Sequence, residues 1–479
     1  MTFEMPDLSL ALPEIWVLSA ACVVLVVDLF SKDRSRLPTF LLSQLTLLVA
    51  IALTIGTQWG LDATTFSGTY IADSIGVILK VGVLGLVLLA FAYSRQYLAA
   101  RELLKGEFYV LSLLGALGMM VMISAHSLIT LYMGLELMSL CMYALVAMNR
   151  TSIASTEAAL KYFVLGALAS GILLYGMSML YGASGSLDIA EIAAVGAAQG
   201  DNTFFLLGMT FVLVGVAFKF GAVPFHMWVP DVYQGAPTVI TQYIATASKV
   251  AAVGLFIRLL GEALGPLAEQ WQAMLIVLAV LSLAAGNVLA LVQTNLKRML
   301  AYSAFNHIGF IFLGFIAGTA EGMAAATFYA VTYALTSAAA FGVIMLMSRK
   351  GFEADQLSDL KGLNERSGLF AFIVLILMIS LTGIPGTVGF YAKWMVIQSL
   401  VSSGMVWLAI VAVIAAVVGA FYYLRVVKLA YFDKPEPQAP AFEGSGAFRT
   451  VLALNGFAIL ALGLAPGALI AVSRAAFGL

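Results

Sequence analysis

Charge is scarce in this chain: Lys, Arg, Asp and Glu together make up 10% of its 479 residues and leave a net charge of −1. Nucleic-acid binding rests on clustered lysine and arginine, so this balance, with no long acidic or basic tail, argues against that class of partner. Cysteine is nearly absent. Cys22 and Cys141 stand singly in apolar stretches, without the paired spacing of a metal or iron-sulfur site, and read as core residues. His126, His226 and His307 are far apart in sequence, so no histidine cluster for zinc and no acidic calcium loop is present. The opening MTFEMPDLSLALPE is acidic and lacks the basic region of a secretory signal, so the first apolar segment is expected to be a retained span.

What the chain has in abundance is apolar length. It is 62% hydrophobic, and segments of about 20 apolar residues recur throughout, each long enough to cross a bilayer core of about 30 Å as a helix. The reading is an all-α integral membrane protein of about 14 transmembrane helices. Spans are expected near residues 13–30, 39–56, 70–92, 109–124, 128–148, 157–181 and 204–222, then 238–260, 270–291, 299–318, 323–348, 368–398, 405–431 and 449–470.

Alternate loops carry the basic residues. Lys32, Arg34 and Arg36 follow the first span, Arg95, Arg101 and Lys105 the third, and Arg150 the fifth. Lys297 and Arg298 follow the ninth, Arg349, Lys350, Lys361 and Arg366 the eleventh, and Lys434 and Arg449 the thirteenth. These loops belong on the cytoplasmic side by the positive-inside rule, which places both termini outside. The intervening loops carry Asp62, then Asp188, Glu191 and Asp201, then Glu321. The segment RKGFEADQLSDLKGLNERSG is read as a surface stretch rather than a domain, and no extramembrane stretch looks able to house a nucleotide or redox cofactor.

Two spans are interrupted. In FVLVGVAFKFGAVPFHMWVPDVYQGAPT (211–238), Lys219 precedes a break carrying Gly221, Pro224, His226 and Pro230. In LILMISLTGIPGTVGFYAKWMVI, a break at Gly383 to Gly386 precedes Lys393. Proline removes a backbone donor, and in lipid such a break survives only where protein or water satisfies the freed backbone groups. The reversed order of lysine and break is what two oppositely inserted copies of one unit give. The chain is accordingly divided into helices 1–3 (1–108), two inverted five-helix repeats (109–260 and 261–431) with discontinuous helices 7 and 12, and a C-terminal loop and helix 14 (432–479).

The charges inside the spans are the candidate site. Glu136 lies in the middle of its span and is too deep to snorkel; its nearest sensible partner is Lys219, as a working couple or as a static ion pair. Lys249 sits mid-span with no charge within eight residues and is read as a proton-handling group. Lys219 and Lys393 are read the same way, with snorkelling to the interface as the alternative for each. A central lysine costs about 2.5–3.5 kcal/mol on insertion scales, so Glu136, Lys219, Lys249 and Lys393 left unpaired cost on the order of 10 kcal/mol. Lys161 either pairs with Glu157 one turn before it or contributes to the site. His307 is either a proton-handling group, its charge changing nearest neutral pH, or a satisfied core histidine. His226 is placed to donate to freed carbonyls in the break, and His126 reads as interfacial. Alternating carboxylates and amines in a hydrated interior make sites that exchange protons as their neighbours change charge; protons, or else sodium ions, are the natural cargo.

The stretches LYMGLELMSLCMYAL, EAALKYFVLGALASGILLYG, FKFGAVPFHMWVPDVYQGAPT, NLKRMLAYSAFNHIGF and GIPGTVGFYAKW resemble the antiporter-like membrane subunits of respiratory complex I, the bacterial proton-pumping NADH-quinone oxidoreductase. The resemblance covers nearly the whole chain. It implies fourteen helices in two inverted repeats, with a half-channel in each. It further implies Glu136 as partner of Lys219, Lys249 as central relay, His307 as linking group, Lys393 nearest the outer exit, and Lys161 tuning the axis; His226 is grouped with Lys161 and His307 as a supporting residue. Lys393 stands where one sibling subunit has glutamate, and no long lateral helix of the kind in the largest sibling follows the fourteenth span.

The function so implied is proton translocation in the bacterial inner membrane, driven by quinone reduction elsewhere in the complex. Flavin, iron-sulfur clusters and quinone are then expected on partner subunits and none on this chain. The expected partners are the other membrane subunits of the complex, antiporter-like siblings among them. Two other readings stay open: a subunit of a multi-subunit sodium/proton antiporter, and a membrane scaffold whose buried charges fix helix register.

Overall fold

The computed structural model describes residues 5–31, 35–435 and 444–479. Of the charges assigned above to inner loops, Lys32 and Arg34 lie outside the described residues. Three helices open the chain, α1 (Leu12–Phe30), α2 (Leu37–Gln58) and α3 (Ser74–Ala100). Between the last two lies an antiparallel hairpin of β1 (Asp62–Thr65) and β2 (Tyr70–Asp73), in the register Asp62 to Asp73 and Thr65 to Tyr70. The third span therefore begins at Ser74 rather than near residue 70, because Asp73 caps α3 by accepting from the Gly76 amide.

The next group is α4 (Gly106–Ile123), α5 (Leu128–Val146), α6 (Ile153–Ser184), the short α7 (Ile189–Ala198), α8 (Thr203–Phe220), α9 (Trp228–Gly235) and α10 (Thr238–Phe256), which continues as a π-helix over Ile257–Ala263. A second group follows: α11 (Ala268–Leu291), α12 (Leu296–Ile316), α13 (Ala320–Met347), α14 (Leu363–Arg366), α15 (Gly368–Thr382), α16 (Val388–Ser402) and α17 (Val406–Tyr431). The chain closes with α18 (Gly446–Leu464) and α19 (Gly467–Ala475). Thirteen helices among the described residues are long and apolar enough to cross a membrane, and α15 with α16 makes up a fourteenth crossing, broken in the middle.

Burial divides these helices by position. Helices α10, α12 and α13 are enclosed on nearly every side, whereas α1, α2 and α18 bury only about a third of their most apolar windows. The enclosed helices carry the polar residues, since an apolar environment tolerates them only where other helices supply partners. Thr241, Gln242, Thr246 and Lys249 of α10 are all fully buried. Close backbone approach makes the enclosure tight: a Cβ on Gly118 would stand 2.5 Å from the Met138 amide nitrogen of α5, and one on Gly134 2.5 Å from that of Met122 of α4. Small residues at such crossings are how membrane helices gain packing without a hydrophobic drive.

The charged segment after α13 is more than a surface stretch. Ala354, Leu357, Leu360 and Leu363 are buried, and the Glu353 carboxylate accepts from the Tyr97 hydroxyl (2.9 Å), from Arg101 and from the Thr238 hydroxyl. It ties α3 to the start of α10. The Leu296 and Leu357 amides bind Asp355 and Thr294 carbonyls at 2.5 and 2.9 Å, fastening the same segment to the start of α12.

Candidate functional site

Glu136 and Ser139 are one turn apart on α5 and so share a face. Opposite them stand Ser170 of α6 and Lys219 in the last turn of α8. The Ser170 hydroxyl donates to Glu136 Oε1 at 2.5 Å. The Lys219 ammonium donates to Ser139 Oγ at 2.9 Å and to Ser170 Oγ at 3.4 Å. Glu136 and Lys219 are thus brought together, but through a serine hydroxyl; among the described residues they form no direct ion pair.

Helix α8 ends at Gly221, whose φ of +76° is open to glycine without the cost a Cβ would bring. The Gly221 amide returns to the Phe218 carbonyl at 2.9 Å and the Ala222 amide to Ala217 at 2.9 Å, the double return of a glycine-terminated helix. The Trp228 indole nitrogen adds a bond to Phe218 O at 3.1 Å. That leaves the carbonyls of Lys219 and Phe220, and Lys249 takes both, at 3.3 and 2.6 Å. Lys249 is fully buried, and its Nζ lies 5.2 Å from the Trp228 ring centroid, a cation-π distance.

The second break repeats this chemistry. Helix α15 ends at Gly383, φ +88°, and the Gly383 and Ile384 amides return to the Ile379 carbonyl at 3.0 and 3.1 Å. Lys393, on the second half-helix, donates to the carbonyls of Leu381 (3.1 Å) and Thr382 (2.8 Å). It is buried, with Phe310 beneath it at 5.0 Å. Neither snorkelling nor a free charge describes this residue. By contact, Lys393 matches Lys249 rather than Lys219, so the reversed order of lysine and break read from sequence does not pair residues of equal environment.

His307 lies between polar hydroxyls. Its Nδ1 is 2.8 Å from Tyr329 Oη and its Nε2 2.9 Å from Tyr423 Oη; the Tyr423 oxygen is 2.6 Å from Ser303 Oγ. Tyr333 stacks on the imidazole at a centroid distance of 4.4 Å. A cavity of about 10 Å³ separates His307 from Lys393 and is also lined by Tyr329, Tyr333 and Ser380, room for about one water. Imidazole, tyrosines, serine and ammonium stand within reach of one another through that space.

Two sequence candidates lie outside these buried groups. Lys161 is partly exposed and pairs with both Glu157 and Asp231, each at 2.7 Å, and Asp231 also binds Arg298 at 2.9 Å. Glu157, Lys161 and Asp231, with Asp355 of the segment after α13, border a cavity of about 320 Å³. His226, in the first break, packs its ring against Phe305 at 4.9 Å, and its Nδ1 has no hydrogen-bond partner among the described residues.

Other buried charges escaped the sequence reading. Lys80 of α3 is fully enclosed and pairs with Glu14 at 2.5 Å, while donating to Tyr70 Oη (2.9 Å) and Gln58 Oε1 (3.1 Å). Arg258 binds Asp73 at 2.8 Å and Glu262 at 2.5 Å. Lys297 caps α9 by donating to Ala236 O at 2.7 Å. Lys80 had the same signal as Lys249, a lone lysine in an apolar run. Among the described residues no group of three or more His, Cys, Asp or Glu is placed to hold a metal.

Residues 125–419 match the family described as NADH:quinone oxidoreductase/Mrp antiporter, TM. The NADH-quinone oxidoreductase subunit N of Alkalilimnicola ehrlichii is 62% identical over 477 residues, covering 99% of this chain and 98% of that protein. The protein of the same name from Halorhodospira halophila is 57% identical across 100% of both chains. A chain of respiratory complex I from Thermus thermophilus superposes with a TM-score of 0.83 at 31% identity, covering 96% of this chain and 98% of that one. A chain of the Mrp complex from Dietzia shares the fold, with a TM-score of 0.84 at 21% identity and coverage of 98% and 96%. Sequence and fold agree: the chain belongs to the family of antiporter-like membrane subunits that includes NADH-quinone oxidoreductase subunit N.

Proposed function

We propose that this chain carries protons across the bacterial inner membrane as a membrane subunit of an NADH-quinone oxidoreductase, driven by quinone reduction on other chains. The observation that carries the proposal is the repeated half-helix end: a glycine-terminated helix whose last two carbonyls hold a fully or nearly fully buried lysine. Cations are favoured at a helix C-terminus by its partial negative charge, yet nothing there fixes the proton permanently, as a bidentate carboxylate would. Such a lysine is a site that holds a proton and gives it up when neighbouring charges change.

The contacts support the following roles. Glu136, Ser170 and Lys219 form a donor-acceptor chain in the first repeat, where displacement of one hydroxyl changes how strongly carboxylate and ammonium feel each other. Lys249 is the relay at the first break. His307, with Tyr329 and Tyr423, links toward Lys393, from which the proton leaves on the outer side. Lys161, held by Asp231 of α9, ties the surface charge to the second half of the first broken helix and supports the axis, as does His226 within the break. Flavin, iron-sulfur clusters and quinone belong on partner subunits, with further antiporter-like chains alongside, and both termini face the periplasm. The names of the full-length relatives favour this reading over a sodium/proton antiporter subunit; the Mrp likeness supports the fold alone.

The test is quinone-dependent NADH oxidation and proton uptake in membranes with assembled complex. Lys219→Ala and Glu136→Gln are expected to lower both strongly, and Lys350→Ala, an exposed surface lysine, to leave both unchanged. Equal, small effects of all three would overturn the assignment.

A further inference from the structure

One sizeable cavity lies off the lysine axis. It is a cleft of about 730 Å³ among the end of α12, the start of α13, the outer half of α16, and α19, within the usual range for small-molecule sites. With 3.6 residues per turn, Met395, Gln398 and Ser402, which line it, fall on the face of α16 turned away from Lys393. The cleft is therefore separated from the proton path by the thickness of a helix.

Its lining changes character with depth. At its inner end it is bordered by Tyr391, Met395 and the Trp394 ring, which is 54% exposed. About 12 Å further along α16, close to half the hydrocarbon thickness of a bilayer, it ends at Ser402. At that end Arg474 of α19 pairs with Glu321 of α13 at 2.6 Å, their side chains 45% and 50% exposed. A protein interface has an apolar centre ringed by polar residues. Here both charges stand at one end and the rest of the lining is neutral, the pattern of an amphiphile.

We propose that this cleft holds one glycerophospholipid with a zwitterionic amine headgroup, its phosphate on Arg474, its ammonium on Glu321 and its acyl chains along Trp394 and Met395. An exposed ion pair contributes little stability, so both charges are free to be shared with a headgroup. Arg474 alone would favour an anionic lipid; the carboxylate beside it repels one and accepts an ammonium instead. The occupant is thus set by the paired charges and the depth gradient together.

The experiment is native mass spectrometry of the intact purified complex after detergent delipidation, with phosphatidylethanolamine and phosphatidylglycerol offered in equal amounts. The unmodified complex is expected to retain one more phosphatidylethanolamine than Arg474→Ala. Glu321→Gln is expected to shift retention toward phosphatidylglycerol, and Met395→Trp, which fills the cleft, to lose the lipid without touching either charge. If Arg474→Ala fails to assemble, the other two variants decide. The proposal is overturned if retained lipid is the same in all variants, leaving annular lipid only. It is equally overturned if Glu321→Gln leaves the headgroup preference unchanged, or if a neighbouring subunit's chain fills the cleft in the assembled complex.

Discussion

Lys249 and Lys393 occupy equivalent places: each donates to the last two carbonyls of a half-helix that ends on a left-handed glycine, Phe220 and Lys219 for the first, Thr382 and Leu381 for the second. A lysine in that position satisfies carbonyls that lipid would leave bare and, in the proposed function, also holds a transferable proton. Arginine satisfies the carbonyls but does not release a proton in a protein. Lys393→Arg is therefore expected to assemble and yet lose NADH-driven proton uptake, whereas Lys393→Met loses uptake and melts at lower temperature. Retained uptake in the arginine variant would reduce Lys393 to a cap.

Ser170 joins Glu136 to Lys219. Hydrogen bonds to charged groups contribute about 1.5–3 kcal/mol, so Ser170→Ala is expected to slow turnover by about tenfold or more while leaving complex abundance unchanged. Ser170→Thr, which keeps the hydroxyl, should recover most of it. Steady-state NADH oxidation in membranes, normalised to assembled complex, reads both.

Tyr423 holds the Nε2 side of His307 and Ser303 together. Tyr423→Phe removes the hydroxyl with little change in volume. Proton uptake per NADH oxidised, measured in proteoliposomes, should fall with His307→Phe and Tyr423→Phe alike. A full ratio in both would make His307 a satisfied core histidine.

The Glu14 and Lys80 pair is buried and lies apart from both breaks. Removing one partner of such a pair costs about 3–5 kcal/mol, because the other charge is left uncompensated. Lys80→Met should accordingly reduce the thermal stability and abundance of the chain in membranes, and Glu14→Leu together with Lys80→Met should restore much of it. A double variant as unstable as the single would show that the site needs its charges for another purpose.

Glu353, in the segment between α13 and α14, is outside the spans. Burial raises its carboxyl pKa, but the Lys297 and Arg101 charges and the Thr238 and Arg101 hydrogen bonds outweigh this and hold it below the ordinary carboxylate value. A depressed folded pKa stabilises above the unfolded value and is lost as pH falls through the folded one. Proteolysis of the 349–366 segment in the assembled complex should thus be constant near neutrality and rise only below about pH 4. Glu353→Gln should be cut faster at neutral pH, with no such rise on acidification.

Much of this was legible in sequence for a simple reason. Bilayer thickness sets the length of an apolar run, so fourteen crossings could be counted, and Gly221, Pro224 and Gly383 marked both breaks because helices stop at such residues. Glu136, Lys219, Lys249, His307 and Lys393 stood out as polar groups in apolar surroundings. Their partners did not, since Ser139, Ser170, Tyr329 and Tyr423 are unremarkable in composition and acquire meaning only when distant helices pack. The exchange of environments between Lys219 and Lys249 depends on the rotation of α10 against α8, which periodicity does not report. Asp231, too, reads as an ordinary residue after the break until α9 brings it against Lys161. Strands β1 and β2 were hidden in a short connection, and the buried segment after α13 was masked by its charge.

The most direct test of the central claim is proton uptake during quinone-dependent NADH oxidation in membranes carrying Lys249→Met, with assembly of the complex verified. Methionine fills the lysine's space without its ammonium. Loss of both oxidation and uptake in a fully assembled complex is the expected result, since the relay at the first break is then gone and redox chemistry stalls with it. Full oxidation with full proton uptake would contradict the account and make the lysine on the Phe220 carbonyl no more than a helix cap.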